Sequence, residues 1–207
     1  MSEFSWLLKE EAEAIRTTKE EIGHSPRFFN KDKRVTRLYL TNSNIMELRP
    51  LRKLTTLRVL NLVNTAVADI SPLSRLRNLQ KLNLEWMCVS DASPLRSLRN
   101  LCELNLSATK IKNISPLQNL TNLQILDFSS TSVSDITPLR KLKKLRELYL
   151  QNTNITDLSP LEEIPNLSYL DIQWTGIPIS NKTLQLLEEG ILRLFPEVEA
   201  GMLRDRE

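Results

Sequence analysis

A period of 22 residues runs through most of this chain and leaves few folds open to it. Leu57, Leu60, Leu62, Val67, Ile70, Pro72, Leu73 and Leu76 return three periods later as Leu123, Leu126, Phe128, Val133, Ile136, Pro138, Leu139 and Leu142. The frame holds from Val35 to about Ile179 and gives seven units, starting at Val35, Leu57, Leu79, Leu101, Leu123, Leu145 and Leu167. Repetition at this spacing specifies one small structural unit, copied and stacked.

Within each unit, Arg-Leu-Tyr-Leu-Thr at 37–41, Glu-Leu-Asn-Leu-Ser at 103–107 and Glu-Leu-Tyr-Leu-Gln at 147–151 alternate apolar and polar residues. That is the period of a half-buried strand. About ten residues on comes Ser71-Pro72, Ser93-Pro94, Ser115-Pro116, Thr137-Pro138 or Ser159-Pro160. A Ser or Thr cap with Pro at the start of a turn predicts a short helical or 3₁₀ segment. A lone unit of strand, turn and short helical turn has one apolar face and nothing to cover it. Stacking shares the core and pairs each strand with the next. The fold class that follows is an α/β leucine-rich repeat solenoid, a right-handed superhelix. Its parallel sheet lies on the concave face, with short 3₁₀ or extended segments on the convex side and helical caps at both ends.

Three regions result: an N-terminal helical cap over 1–34, seven repeats over 35–179, and a C-terminal helical cap and tail over 180–207. The first cap rests on a helix over 2–22, with Phe4, Leu8, Ile15 and Ile22 inward, Glu10, Glu11 and Glu13 on the wet side, and Gly23 and Pro26 as stop signals. The second rests on Leu184, Leu187, Ile191 and Leu194, helically spaced between Asn181 and Phe195. A turn column reads Ser43, Thr65, Met87, Thr109, Thr131, Thr153 and Thr175, where hydroxyls can tie neighbouring coils. Met87 cannot, which predicts looseness or a bridging water in the third unit.

The unit, carried by Asp69-Ile70-Ser71-Pro72-Leu73 and Asp157-Leu158-Ser159-Pro160-Leu161 with Asn78, Asn100, Asn122 and Asn166 ahead of the next leucine, resembles the repeats of bacterial internalins and their relatives. Eukaryotic phosphatase-regulator repeats share the period, but the recurring Ser-Pro-Leu fits the bacterial group better. The resemblance implies a protein-binding concave face, as internalins use toward host proteins.

Strand residues between the inward leucines form the concave columns, which carry two positive and five negative charges. Tyr149, Tyr169 and Trp174 gather there with Gln151, Gln173, Asp127, Asp171, Glu147 and Glu103, and Trp86 stands four units before Trp174 in its own column. Tyr and Trp anchor interfaces, and the carboxylates suit a partner with a basic or mixed surface. The expected function is therefore a protein–protein interaction module binding a protein or peptide. Two alternatives stand beside it: a secreted bacterial effector or adhesin-like protein recognising a host protein, and a nucleic-acid binder. The last draws on ten basic residues in the return segments, among them Arg75, Arg96, Lys141 and Lys144, against Glu162 and Glu163. The absence of interleaved basic and aromatic residues on the strands disfavours it, as does a net charge of only +3.

Cys88 and Cys102 fall in different columns and are expected as free thiols. His24 stands alone and reads as a loop residue. No catalytic residue, cofactor or metal ligand is assigned. The first residues lack the basic start and apolar run of a secretory signal, and no segment is apolar enough to span a membrane. A cytoplasmic location with no membrane partner is expected, with signal-independent secretion left open. The oligomeric state is not written in the sequence.

Overall fold

The computed structural model describes residues 4–178, 185–186 and 189–193. Helix α1 (Lys9–Ile22) opens the chain, followed by strands β1 (Arg27–Lys31), β2 (Arg34–Tyr39), β3 (Val59–Asn61), β4 (Lys81–Asn83), β5 (Glu103–Asn105), β6 (Ile125–Asp127), β7 (Glu147–Tyr149), β8 (Tyr169–Asp171) and β9 (Leu192–Arg193). They form one sheet in chain order, parallel from β2 to β9. The pairing is in step with the repeat: Leu38, Leu60, Leu82, Leu104, Leu126, Leu148 and Leu170 follow one another across it. Each is at most 2 % exposed. The side-chain period of a strand then fixes the alternate residues on the open face.

The return path of each unit is a 3₁₀ turn: Ser71–Arg75, Ser93–Ser97, Ser115–Asn119, Thr137–Lys141 and Ser159–Glu163, with Pro50–Lys53 before them. The cap is not the Ser or Thr. The side chain two residues earlier accepts its backbone N–H: Asp69 from Ser71, Asp91 from Ser93, Asn113 from Ser115, Asp135 from Thr137 and Asp157 from Ser159. Such Asx turns suit Asp and Asn because their short side chains reach their own backbone. Leu73, Leu95, Leu117 and Leu139 project inward from these turns and are fully buried.

Coils are stitched on the convex side by an asparagine column. The amides of Asn78, Asn100, Asn122 and Asn166 donate to Thr55, Arg77, Arg99 and Lys143 carbonyls one coil back, at 2.7–2.9 Å. The threonine column does different work. Thr109, Thr131, Thr153 and Thr175 each donate to the carbonyl three residues earlier in the same coil. Met87 therefore costs no inter-coil bond, and burial and strand pairing around it are regular. Met87 is 2 % exposed, the ladder from β3 to β5 is unbroken, and the Trp86 amide reaches the Ser107 carbonyl. Among the described residues, the buried hydroxyls without a partner are those of Ser43 and Thr65.

The expected N-terminal helix is present but does not close the sheet by itself. α1 begins at Lys9 and stops at Gly23, whose φ of 79° is the left-handed geometry glycine supplies. It packs behind the first 3₁₀ turn, while β1 covers the edge of β2 as an antiparallel hairpin. An unpaired strand edge needs hydrogen-bond partners, which a helix cannot offer. Glu11, assigned to the wet side, is 2 % exposed. Its carboxylate accepts from the Val35 amide and the Thr56 hydroxyl, with Arg34 at 3.7 Å. At the other end, most of the expected 181–195 helix lies outside the described residues. Of its described residues, Gln185 and Leu186 are helical as expected, whereas Leu192–Arg193 is strand and pairs with Leu170 and Asp171. Leu192 follows Leu170 by one more period, so the frame outlasts the seventh unit.

Candidate concave interface

The outward columns share one face because parallel pairing matches like positions. Arg37, Val59, Lys81, Glu103, Ile125, Glu147 and Tyr169 form one register line; Tyr39, Asn61, Asn83, Asn105, Asp127, Tyr149 and Asp171 form the next. A shallow groove of about 290 Å³ runs along them from Tyr39 to Tyr149.

The second line is mostly structural. Asn61, Asn83, Asn105, Asp127 and Asp171 each accept the backbone N–H two residues on, at 2.8–3.1 Å. Asp171 is 3 % exposed and also accepts from the Gln151 amide. It is committed to the fold and offers a partner little surface. Asp127 is half-buried, and burial pushes its carboxyl above the usual range, with Glu85 and Asp171 adding like charge and the Ser129 donors opposing.

Tyr39 and Tyr149 break this column. The Tyr149 ring lies 5.0 Å from that of Tyr169 at a 40° tilt, and both are half-buried. The Tyr149 hydroxyl donates to Glu147 at 3.0 Å. Burial and this carboxylate push the phenol up to about 12. Glu103 is held in an ion pair with Lys81, and Gln151 and Gln173 flank the tyrosines half-exposed.

Trp86 and Trp174 do not join the tyrosines on the strands. They occupy the turn at the C-terminal end of the strands, each 65 % exposed. That turn position has positive φ in every unit: Asn42, Asn64, Trp86, Ala108, Ser130, Asn152 and Trp174, between 51° and 58°. Asn tolerates this geometry; a tryptophan there is uncommon. The Trp86 indole N–H donates to Glu85 at 3.0 Å.

The sheet also carries Arg27 and Phe29, which lie within the region expected as a helical cap, beside Arg37 and Tyr39 of the outward columns. Arg27 lies opposite Tyr39, and Phe29 opposite Arg37, so all four extend the concave face at its N-terminal end. The signal was present: Arg-Phe-Phe-Asn-Lys, a polar pair at Asp32-Lys33, then Val35. Both turn residues have positive φ, as a tight hairpin turn requires.

Cys88 is exposed and Cys102 half-buried, both as free thiols, and His24 sits in a loop. Among the described residues no group of three or more His, Cys, Asp or Glu could hold a metal ion. No helix among them is long and apolar enough to cross a membrane.

Among solved structures, internalin C2 from Listeria monocytogenes is 26 % identical over 87 % of this chain and 92 % of its own, with a TM-score of 0.65. A second Listeria internalin, inlF, is 25 % identical over 86 % of this chain and 59 % of its own, with a TM-score of 0.58. A Leptospira interrogans leucine-rich repeat protein, at 24 % identity over 73 % of this chain and 40 % of its own, shares the fold with a TM-score of 0.65. No curated protein matches the sequence. A family model described as the R13L1/DRL21 leucine-rich repeats matches residues 45–175, well over half of the chain. With the in-register leucines and the open inner wall, that match makes the chain a member of the R13L1/DRL21 leucine-rich repeat family, in an internalin-like fold.

Proposed function

We propose that the chain is a protein-interaction module, without catalysis of its own, that receives a protein or peptide on its concave face. The observation that carries this is the Tyr149–Tyr169 pair, two rings 5.0 Å apart on adjacent strands of the open wall. Adjacent aromatic rings with polar tips make rigid, low-entropy anchors. Glu147, Gln151 and Gln173 surround them with acceptors and donors, and Trp174 and Trp86 supply apolar contacts on the rim. The carboxylates at this end favour a basic stretch of the partner. The internalin likeness supports the mode of binding, and an open wall suits an extended polypeptide.

A pull-down with wild type and with Tyr149→Ala/Tyr169→Ala, followed by mass spectrometry, tests the reading. Loss of two central aromatic anchors should weaken capture by well over about tenfold, while the circular dichroism spectrum stays unchanged. Equal recovery of the same partner by both proteins refutes the site.

A further inference from the structure

A second group of aromatic and charged side chains stands at the N-terminal end of the concave face. On β1 and β2, Arg27 stands over Phe29 at 5.7 Å and over Tyr39 at 5.4 Å, and Arg37 stands over Phe29 at 5.9 Å. Phe29 meets Tyr39 edge-on at 6.1 Å. Phe29 is 44 % exposed and both arginines are exposed. Neither arginine makes an ion pair among the described residues. Stacking on a ring fixes the guanidinium plane and leaves its N–H edge free for a carboxylate. Two cations leaning on one ring also repel each other until an anion lies between them.

Further along the face the charge changes sign. Lys81 and Glu103 neutralise each other in an ion pair, and Glu147 and Asp127 follow beside the tyrosines. Glu85 adds a further negative charge at the end of β4, so the wall turns from positive to negative along its length. From Arg37 to Glu147 there are five strand steps. At about 4.8 Å each they span roughly 24 Å, which an extended chain covers in about seven residues.

We infer that Arg27, Phe29, Arg37 and Tyr39 form a carboxylate-binding site for an acidic stretch of the partner polypeptide, about seven residues from the basic stretch that meets Glu147. This rests on the concave face being the partner site.

The test uses fluorescein-labelled synthetic peptides and anisotropy at low salt. One peptide carries a glutamate block and a lysine block separated by about seven neutral residues; two others have one block replaced by glutamine. Wild type should bind the two-block peptide at least about tenfold more tightly than the peptide lacking glutamates. In Arg27→Gln/Arg37→Gln that gap should fall below about twofold, with the lysine-only peptide unaffected. Arg27→Lys/Arg37→Lys keeps the charge without the fork and should recover only part of the gap. No gap in wild type, a gap that survives in the glutamine variant, or no binding of any peptide overturns the inference. If the gap is missing but Tyr149→Ala/Tyr169→Ala still weakens the lysine-only peptide, the arginine site falls alone. If the gap depends on the arginines and the tyrosine variant changes nothing, the arginine site stands and the tyrosine anchor falls.

Discussion

Glu11 joins the N-terminal helix to the first repeat, and its replacement should unfasten the solenoid from that end. The carboxylate accepts the Val35 N–H, and Val35 is fully buried. In Glu11→Ala that N–H has no acceptor in a place water does not reach, which costs about 1–3 kcal/mol, toward the upper end because the lost bond is to an ion. Thr56 keeps its second bond, to the Val35 carbonyl at 3.1 Å, and adds little. Arg34 is 3.7 Å away with its side chain 47 % exposed, so its ion pair adds under about 1 kcal/mol. The total is about 3 kcal/mol for Glu11→Ala and about 1 kcal/mol for Glu11→Gln, which retains an acceptor. Urea unfolding followed by circular dichroism measures both. Hydrogen exchange should show the Val35 amide and β2 losing protection before β6 to β8, because a solenoid frays from its weakened end. A Glu11→Ala midpoint equivalent to less than about 0.5 kcal/mol of change, or protection lost first at β8, refutes this account.

Trp86→Asn puts a residue suited to positive φ where a bulky one stands, and should raise stability by about 1 kcal/mol in urea unfolding while weakening partner capture. Thr65→Val removes a buried hydroxyl that has no partner and should stabilise by about 1 kcal/mol, seen as a higher urea midpoint. Asp127→Asn keeps the acceptor for the Ser129 amide and matches Asn61, Asn83 and Asn105 in its column. Its carboxyl is pushed up by burial, so the ionised form weighs against the folded state as pH rises past the ordinary Asp value. The variant should therefore gain stability over wild type at neutral pH and lose that advantage in acid, read as urea midpoints against pH. Asp135 has the opposite sign: the Thr137 hydroxyl and amide hold its carboxyl below the usual range. Its contribution is present above about pH 4 and disappears as pH falls through the lowered value. Asp135→Asn, which copies Asn113, should flatten the acid limb of the same plot.

The repeat register was legible because two periods coincide: alternation along each strand and the 22-residue frame between strands. Leu38 to Leu170 could hardly stack any other way without turning their side chains to water. The hairpin strand β1 was not legible as part of the sheet because Phe28 and Phe29 lie outside the frame, and Asp32-Lys33 lacks the glycine that usually marks such a turn. The strand at Leu192 was hidden by helically spaced leucines around it, although the frame points to it. Glu11 looked exposed because charge alone suggests solvent, and only the need of the Val35 amide explains its burial. The frame put Tyr149 and Tyr169 on adjacent strands, and they meet diagonally from different register lines; the arginine cluster was not legible, since its partner strand was unrecognised.

Column membership separates what holds the fold from what a partner can use. In two columns the bond recurs with the residue: Asn61, Asn83, Asn105, Asp127 and Asp171 cap their own turns, and Asn78, Asn100, Asn122 and Asn166 tie coils together. Exceptions forfeit that bond. Tyr149 cannot cap the turn that Asn105 caps, and Trp86 holds a backbone angle that asparagine holds more easily. Each such exception gives up about 1 kcal/mol of local stability. Met87 shows that an exception can be absorbed by burial, since it is covered by the core. Tyr39, Trp86, Tyr149 and Trp174 are exceptions that the core does not cover, and each lies on or beside the concave wall. Local stability given up at positions on one face that the core does not cover is what the proposed partner surface requires.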